Sequence, residues 1–200
     1  MLVPMFILVD FEMKIVLMRH GKPSLPKLGK MRGAEFINWI NLYNAASLDS
    51  KCSPLHDSVL ISKSCRAAVC STLTRSIESA DKLGLSSKAE VSDDFVEAGL
   101  PSFNVFNLKC SEIFWLLFFR VSWLLGYAPN SESYSQARLR AKKCADQLIE
   151  IAKEKDSVIL IGHGVLNRLI SKELRARNWQ GSSKAKSKYW QFSFYENEQQ

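Results

Sequence analysis

Two short apolar runs stand out from the polar background of the chain. Residues 14–18 (KIVLM) and 157–161 (SVILI) show no alternation and are rich in β-branched residues. Both predict strands buried on both faces of a sheet. Residues 67–70, between Arg66 and the polar Ser-Thr-Leu-Thr, predict a third strand, and 89–91 a short further one. Residues 189–195 alternate (Tyr-Trp-Gln-Phe-Ser-Phe-Tyr) and predict a closing strand.

Spacings of three and four predict helices elsewhere. One lies within 33–46, with Phe36, Ile37, Trp39, Ile40 and Tyr43 on its apolar side. A second runs from Ser71 or Thr72, either of which can cap it, to about Leu83, where Gly84 stops it. A long helix covers 133–153, with Ala137, Ala141, Cys144, Ala145, Leu148, Ile149 and Ala152 inward, and another covers 164–176. Residues 19–29, with two prolines and two glycines, read as a loop, and 95–107 as an irregular connection. Residues 111–125 form a helix that is apolar nearly all round. A buried helix capping the sheet is the simplest account of it; a dimer face, a membrane-interface contact or an apolar wall for a bulky substrate are the sharper ones.

Strands alternating with helices predict an α/β fold, a three-layer α/β/α sandwich around a mostly parallel sheet. Aromatic helical sequence breaks the alternation at 98–135, which reads as an insertion over the site-bearing end of the sheet. No repeat or long linker is present. The expectation is therefore one domain over 13–200 behind an extension at 1–12, with Met13 an alternative start.

Composition narrows the class. The 200 residues are 46% apolar and 24% charged, which excludes global disorder and low-complexity or disulfide-scaffold architectures. The formal charge of +7 favours anionic partners: phosphorylated metabolites, acidic proteins or nucleic acid. Residues 172–188 are markedly basic, but no nucleic-acid motif accompanies them, and a solvated face is expected. The five cysteines (52, 65, 70, 110 and 144) are odd in number and form no C-x-x-C pair, which fits reduced, buried thiols. The apolar N-terminus has no basic leader or small-residue cleavage site, and Asp10 and Glu12 interrupt it. Residues 113–125, broken by Arg120 and Ser122, fall short of the ~20 residues of a membrane span. A soluble cytoplasmic protein without a membrane partner is expected.

The candidate chemistry lies at the strand ends. Of three histidines, His56 reads as a surface residue. The other two share a setting: the strand at 14–18 runs into Arg19-His20-Gly21, and the strand at 157–161 runs into Gly162-His163-Gly164. Ligands of open α/β sheets bind beyond the carboxyl ends of strands, so both imidazoles stand where a ligand belongs. The glycines permit close approach. A helix opening at Gly164 aims free N–H groups at an anion. Arg75 falls near the start of another helix, where its charge opposes the helix dipole. A bound phosphate explains it through bidentate contacts, as does an ion pair with Glu78.

Taken together, MRHG at 18–21, STLTRSIESA at 71–80, VEAGLP at 96–101 and LIGHG at 160–164 resemble the histidine phosphatase superfamily, with its phosphoglycerate-mutase-like fold, and within it a small phosphatase. The resemblance implies that His20 attacks phosphorus and becomes a phosphohistidine. It implies that Arg19, Arg75, His163 and Gly21 surround the phosphate. It implies that Glu97 protonates the leaving group, with Asp93 and Asp94 as competitors. No metal or cofactor is implied. The implied substrate is a phosphorylated small molecule or a phosphoprotein; a phosphohistidine phosphatase and a phosphate-binding protein without turnover are the rival readings. Lys22-Pro23 departs from the Glu-Thr common after RHG, and the asparagine-bearing loop and longer insertion of the mutases are not recognisable, which counts against a mutase.

Overall fold

The computed structural model describes residues 12–26, 29–105 and 107–198. The expected extension, 1–12, lies outside these apart from Glu12. In chain order the elements are β1 (Glu12–Arg19), α1 (Gly33–Ala45), α2 (His56–Ser64), β2 (Ala67–Ser71), α3 (Thr74–Lys82), β3 (Ala89–Ser92), α4 (Glu112–Leu124), α5 (Tyr134–Lys155), β4 (Ser157–Gly162), α6 (Gly164–Ala176), β5 (Gln180–Gly181) and β6 (Phe192–Glu198). The sheet order is β3-β2-β4-β1-β6-β5. β3, β2, β4 and β1 run parallel, and β6 and β5 complete the edge antiparallel.

The non-alternating runs are central strands covered on both sides. Ile15, Leu17, Val69, Val158 and Leu160 face one cluster with α5 and α6 residues, including Ala141, Leu148, Leu166 and Ile170. Val16, Met18, Ala68, Cys70, Ile159 and Ile161 face the opposite cluster, with Cys65, Ala80, Leu83 and Trp190. Side chains alternate along a strand, so a run apolar at every position fills two cores at once. Of the apolar positions read on α5, Ala137, Ala141, Cys144, Ala145, Leu148 and Ala152 are buried, and Ile149 is partly so. Their small size lets the helix lie close on the sheet. A capping box starts it: Ser133 Oγ accepts from the Gln136 N–H (3.3 Å), and Gln136 Oε1 from the Ser133 N–H (2.8 Å). Gly84, at φ +72°, follows α3 in the left-handed conformation that ends a helix.

A third cluster joins α1 to α4. Phe36, Trp39, Trp115 and Phe119 are buried together with Met31. Phe36 stacks on both Trp39 and Phe119 at 5.3 Å, and Trp115 Nε1 donates to the Met31 carbonyl (2.7 Å). The far end of α1 reaches the sheet's carboxyl edge, where the carbonyls of Tyr43 and Asn44 accept from Arg75.

Three local expectations differ from the structure. Helix α3 begins at Thr74 with Leu73 as its N-cap and no capping side chain, rather than at Ser71 or Thr72, because Ser71 is the last residue of β2. The closing strand is displaced by three residues, to Phe192–Glu198. Trp190 takes φ +64°, its N–H donates to the Arg19 carbonyl (3.1 Å) and its own carbonyl accepts from Ser58 Oγ–H (2.5 Å). These contacts hold 189–191 as a turn across the end of β1, although the sequence there alternates like a strand. Helix α2, which the pattern did not predict, is short and has little apolar periodicity. It buries Ser58 and Ser62, and a buried polar side inverts the signal that marks a helix.

Replacing Ala141 with Leu is expected to lower the unfolding free energy by about 1–3 kcal/mol through overpacking between α5 and the sheet. Urea denaturation of the two proteins measures it.

Candidate active site

Strand register brings the two histidines together. Arg19 pairs with Gly162 across the parallel β1–β4 ladder, so the residues that follow, His20 and His163, leave the sheet side by side. Their ring centroids are 4.9 Å apart, about the ~4.8 Å between neighbouring strands. The His20 N–H donates to the Gly162 carbonyl (3.0 Å), extending the ladder one residue further. Both imidazoles are buried.

The hydrogen bonds assign the tautomer of His20. His20 Nδ1 lies 2.6 Å from the Gly21 carbonyl, an acceptor, and so carries the proton. Its Nε2 is left with a lone pair, which accepts from Arg75 Nε–H at 3.2 Å. His163 Nε2 lies 2.6 Å from Ser71 Oγ. Ser71 Oγ also accepts from the Leu73 N–H (3.3 Å) and keeps a second lone pair and its own proton for Nε2, so this contact fits either tautomer of His163. His163 Nδ1 is buried and finds no partner among the described residues. Both imidazoles are held well below the usual histidine pKa. Burial is the largest cause for each; next come His163 and Arg75 for His20, and Arg75 and Arg19 for His163.

Arg75 is fully buried in the first turn of α3. It makes no bond to Glu78, whose carboxylate accepts from the Leu48 N–H instead (2.6 Å). Arg75 Nη1 donates to Tyr43 O (3.0 Å), its guanidinium lies 4.5 Å above the Tyr43 ring, and burial pulls its pKa down. Arg19 bonds the Ser187 carbonyl and lies 4.2 Å above the Tyr189 ring. Arg75 Nη2 and Arg19 Nε are buried without partners among the described residues, as is His163 Nδ1. Buried donors are rarely left unpaired. Two guanidinium donors and an imidazole nitrogen in this state, on the side chains that act on His20, suit an oxyanion.

Glu97 enters the same region from the segment after β3. Its carboxylate accepts from the N–H groups of Val165 and Leu166 at the start of α6 (3.0–3.2 Å) and from the Ala98 N–H (2.9 Å). The N–H groups expected to face a ligand anion are thus held by a carboxylate of the chain itself. A Cβ built on Gly164 lies 3.7 Å from Arg19 Cζ and 3.8 Å from Glu97 Oε2, so that glycine sits between the two. Asp93 and Asp94 are exposed; they accept from Thr72 Oγ1 (2.6 Å) and Gln147 Nε2 (2.8 Å). His56 is exposed, and Lys22 is exposed beside Asp49 at 3.6 Å.

The glycines of the two motifs admit protein rather than ligand. A Cβ on Gly21 meets Trp190 Cζ2 at 2.3 Å, and the Gly21 N–H already donates to Ser79 Oγ (2.9 Å). A Cβ on Gly162 meets Asn167 Oδ1 at 2.3 Å, while Asn167 Nδ2 donates to Met18 O (3.1 Å). Sequence reading missed this supporting layer. Ser71, Ser76, Ser79 and Asn167 tie helices α3 and α6 to the ends of β1, β2 and β4. It also missed Tyr43 and Tyr189, the rings beneath the two arginines. The available signal was polarity on a buried helix side: Ser76 and Ser79 follow Arg75 at positions that pack inward. Among the described residues, no group of three or more His, Cys, Asp or Glu side chains could hold a metal ion, and no helix is long and apolar enough to cross a membrane.

Solved structures share this architecture. An open-reading-frame product of Mycobacterium tuberculosis superposes with a TM-score of 0.61 at 15% identity, over 94% of this chain and 95% of that one. A mycobacterial glucosyl-3-phosphoglycerate phosphatase gives 0.54 at 19%, over 82% and 79%. A phosphoglycerate mutase from Bacillus anthracis gives 0.53 at 18%, over 84% and 82%. At these identities the likeness establishes the phosphoglycerate mutase fold. No curated protein sequence matches the chain. The sequence model of the histidine phosphatase superfamily (branch 1) matches residues 57–187, a span that holds Arg75, Glu97 and His163 and begins after Arg19 and His20. With more than half its length matched, and His20, His163, Arg19 and Arg75 gathered at one sheet edge, the chain belongs to the histidine phosphatase superfamily, branch 1.

Proposed function

We propose that the protein is a metal-independent phosphatase that hydrolyses phosphomonoesters through a phosphohistidine on His20. Superfamily membership supports phosphatase-type chemistry. The observation that carries the finer reading is the set of buried nitrogens without partners among the described residues on the three side chains that act on His20: Arg19 Nε, Arg75 Nη2 and His163 Nδ1.

In this reading the substrate's phosphoryl group enters between the arginines, and Arg75 Nε–H shifts from His20 Nε2 to a phosphoryl oxygen. Nε2 attacks phosphorus as the bond to the leaving oxygen breaks. His163 donates its Nδ1 proton in a hydrogen bond to a phosphoryl oxygen while staying neutral. Positioning and charge stabilisation supply most of the catalysis of phosphoryl transfer, and the rings of Tyr43 and Tyr189 hold the two guanidinium planes in place. Glu97 gives the leaving oxygen a proton. It then takes one from the water that attacks the phosphohistidine, releasing inorganic phosphate and restoring His20.

Glu97 also favours a second reading. Its carboxylate oxygens accept from N–H groups at the start of α6. An enzyme whose acid is so committed acts best on phosphoryl groups that leave without a proton, as phosphohistidine does from its protonated ring. Gly21, which the resemblance placed on the phosphate, has its carbonyl on His20 Nδ1, its N–H on Ser79 Oγ and its α-carbon against Trp190.

Three outcomes test the reading. Substituting His20 with Ala abolishes turnover and the acid-labile, base-stable phosphoryl label on the protein, whereas His163→Ala retains activity reduced by about 10²–10³-fold, as for one lost charge-stabilising donor. Wild-type-like turnover in the His20 variant sinks the mechanism. Glu97→Gln slows alkyl phosphates by about 10²–10⁴-fold and p-nitrophenyl phosphate far less, because p-nitrophenolate leaves without a proton; equal slowing of both assigns Glu97 to positioning alone.

The third concerns pH. With both imidazole pKa values lowered by folding, the unfolded chain takes up protons below about pH 6.5 that the folded chain refuses. Stability therefore falls as pH falls through that range, by up to ~1.4 kcal/mol per pH unit for each histidine, until the folded-state pKa is reached. Urea midpoints between pH 7 and pH 5 show it, and His163→Gln removes one proton's share of the slope.

A further inference from the structure

We propose that two copies of this chain associate through the outer face of α4, antiparallel and about a two-fold axis. The inference is independent of the reaction. An α-helix turns about 100° per residue, and α4 points Trp115, Phe119 and Trp123 inward, all buried. On the opposite side, Ile113, Phe114, Leu117, Val121, Leu124 and Leu125 are exposed by 41–82%. They share an arc about 120° wide that no polar side chain of the helix enters. Glu112, Arg120 and Ser122 lie beyond its edges; Arg120 donates to the carbonyls of Gly99 (3.0 Å) and Ala98 (3.5 Å), and Ser122 to that of Tyr127 (2.9 Å).

Six side chains of this size and exposure present roughly 700 Å² of apolar surface, above the largest patch of an ordinary monomer and near the ~800 Å² per partner of a standard interface. Phe114, Leu117, Val121 and Leu124 follow one another at intervals of 3, 4 and 3, the seam spacing by which two helices interlock. A second copy offers the same seam by symmetry, and a two-fold contact is self-complementary by construction. The chemistry argues against other occupants. An acidic or basic partner meets no charge on the arc. A lipid surface is ordinarily met by helices that carry free Lys and Arg beside the apolar face, whereas the one cation beside this arc, Arg120, is tied to the carbonyls of Gly99 and Ala98. With the axis at the level of Phe119, Leu117 of one copy faces Val121 of the other.

Sedimentation equilibrium on the full chain tests the proposal. The wild type sediments as a dimer at micromolar concentration. Leu117→Glu raises the dimer dissociation constant at least about 100-fold by placing unpaired charge in the seam, with the circular dichroism spectrum unchanged because residue 117 lies outside the core. The double variant Leu117→Glu/Val121→Lys restores the dimer, since each glutamate then faces a lysine across the axis. A wild type that stays monomeric, a Leu117→Glu variant that still dimerises, or a double variant that stays monomeric overturns the proposal. So does a monomeric wild type that co-sediments with phosphatidylcholine/phosphatidylglycerol vesicles through this face.

Discussion

The site depends on the parallel pairing of β1 with β4 in a single register. Arg19 opposite Gly162 fixes His20 opposite His163, and a shift of one residue would turn each side chain to the other face of the sheet. The register is held by strands buried on both sides. Ile15, Leu17, Val158 and Leu160 occupy one core, and Val16, Met18, Ile159 and Ile161 the other. A slip would exchange the two sets between cores of different shape. The position of the imidazoles is therefore set by packing further back along the same strands.

At that edge the fold concentrates positive charge and hydrogen-bond donors in a dry place. Arg75 is fully buried, Arg19 has a buried Nε, and both imidazoles are driven towards neutrality by burial and by these cations. Such an arrangement costs stability, since a buried charge without a counter-charge is among the least favourable features of a folded chain. The aromatic faces of Tyr43 and Tyr189 offset part of that cost. They do so without supplying an anion, so the attraction of the two guanidinium groups for an anion is left intact. The carbonyls of Tyr43 and Asn44 add acceptors at the end of α1, which ties the α1–α4 layer to the site.

The anionic group that the region does contain, Glu97, is bound to backbone N–H groups of α6. This separates two tasks a helix start can perform: holding an internal carboxylate and holding a ligand. The donors left for a ligand are side chains from three different segments, β1, α3 and the end of β4, and their convergence requires the whole sheet.

Much of this was legible in the residue pattern. The central strands announced themselves as apolar runs because burial on both faces removes alternation. Gly84 ended α3 where expected, and the placement of His20 and His163 at strand ends followed from the strands alone. The tertiary structure decided what lies between segments distant in sequence. Tyr189 was read as part of a strand because its neighbours alternate, yet its contact with Arg19 depends on a turn that Trp190 adopts against Gly21. The partner of His163 Nε2 is Ser71, at the end of another strand. The partner of the α6 N-terminus came from the segment after β3. Local periodicity records whether a residue is buried. Which distant group it meets there is set by register and layer packing, and these arise only when the sheet is assembled.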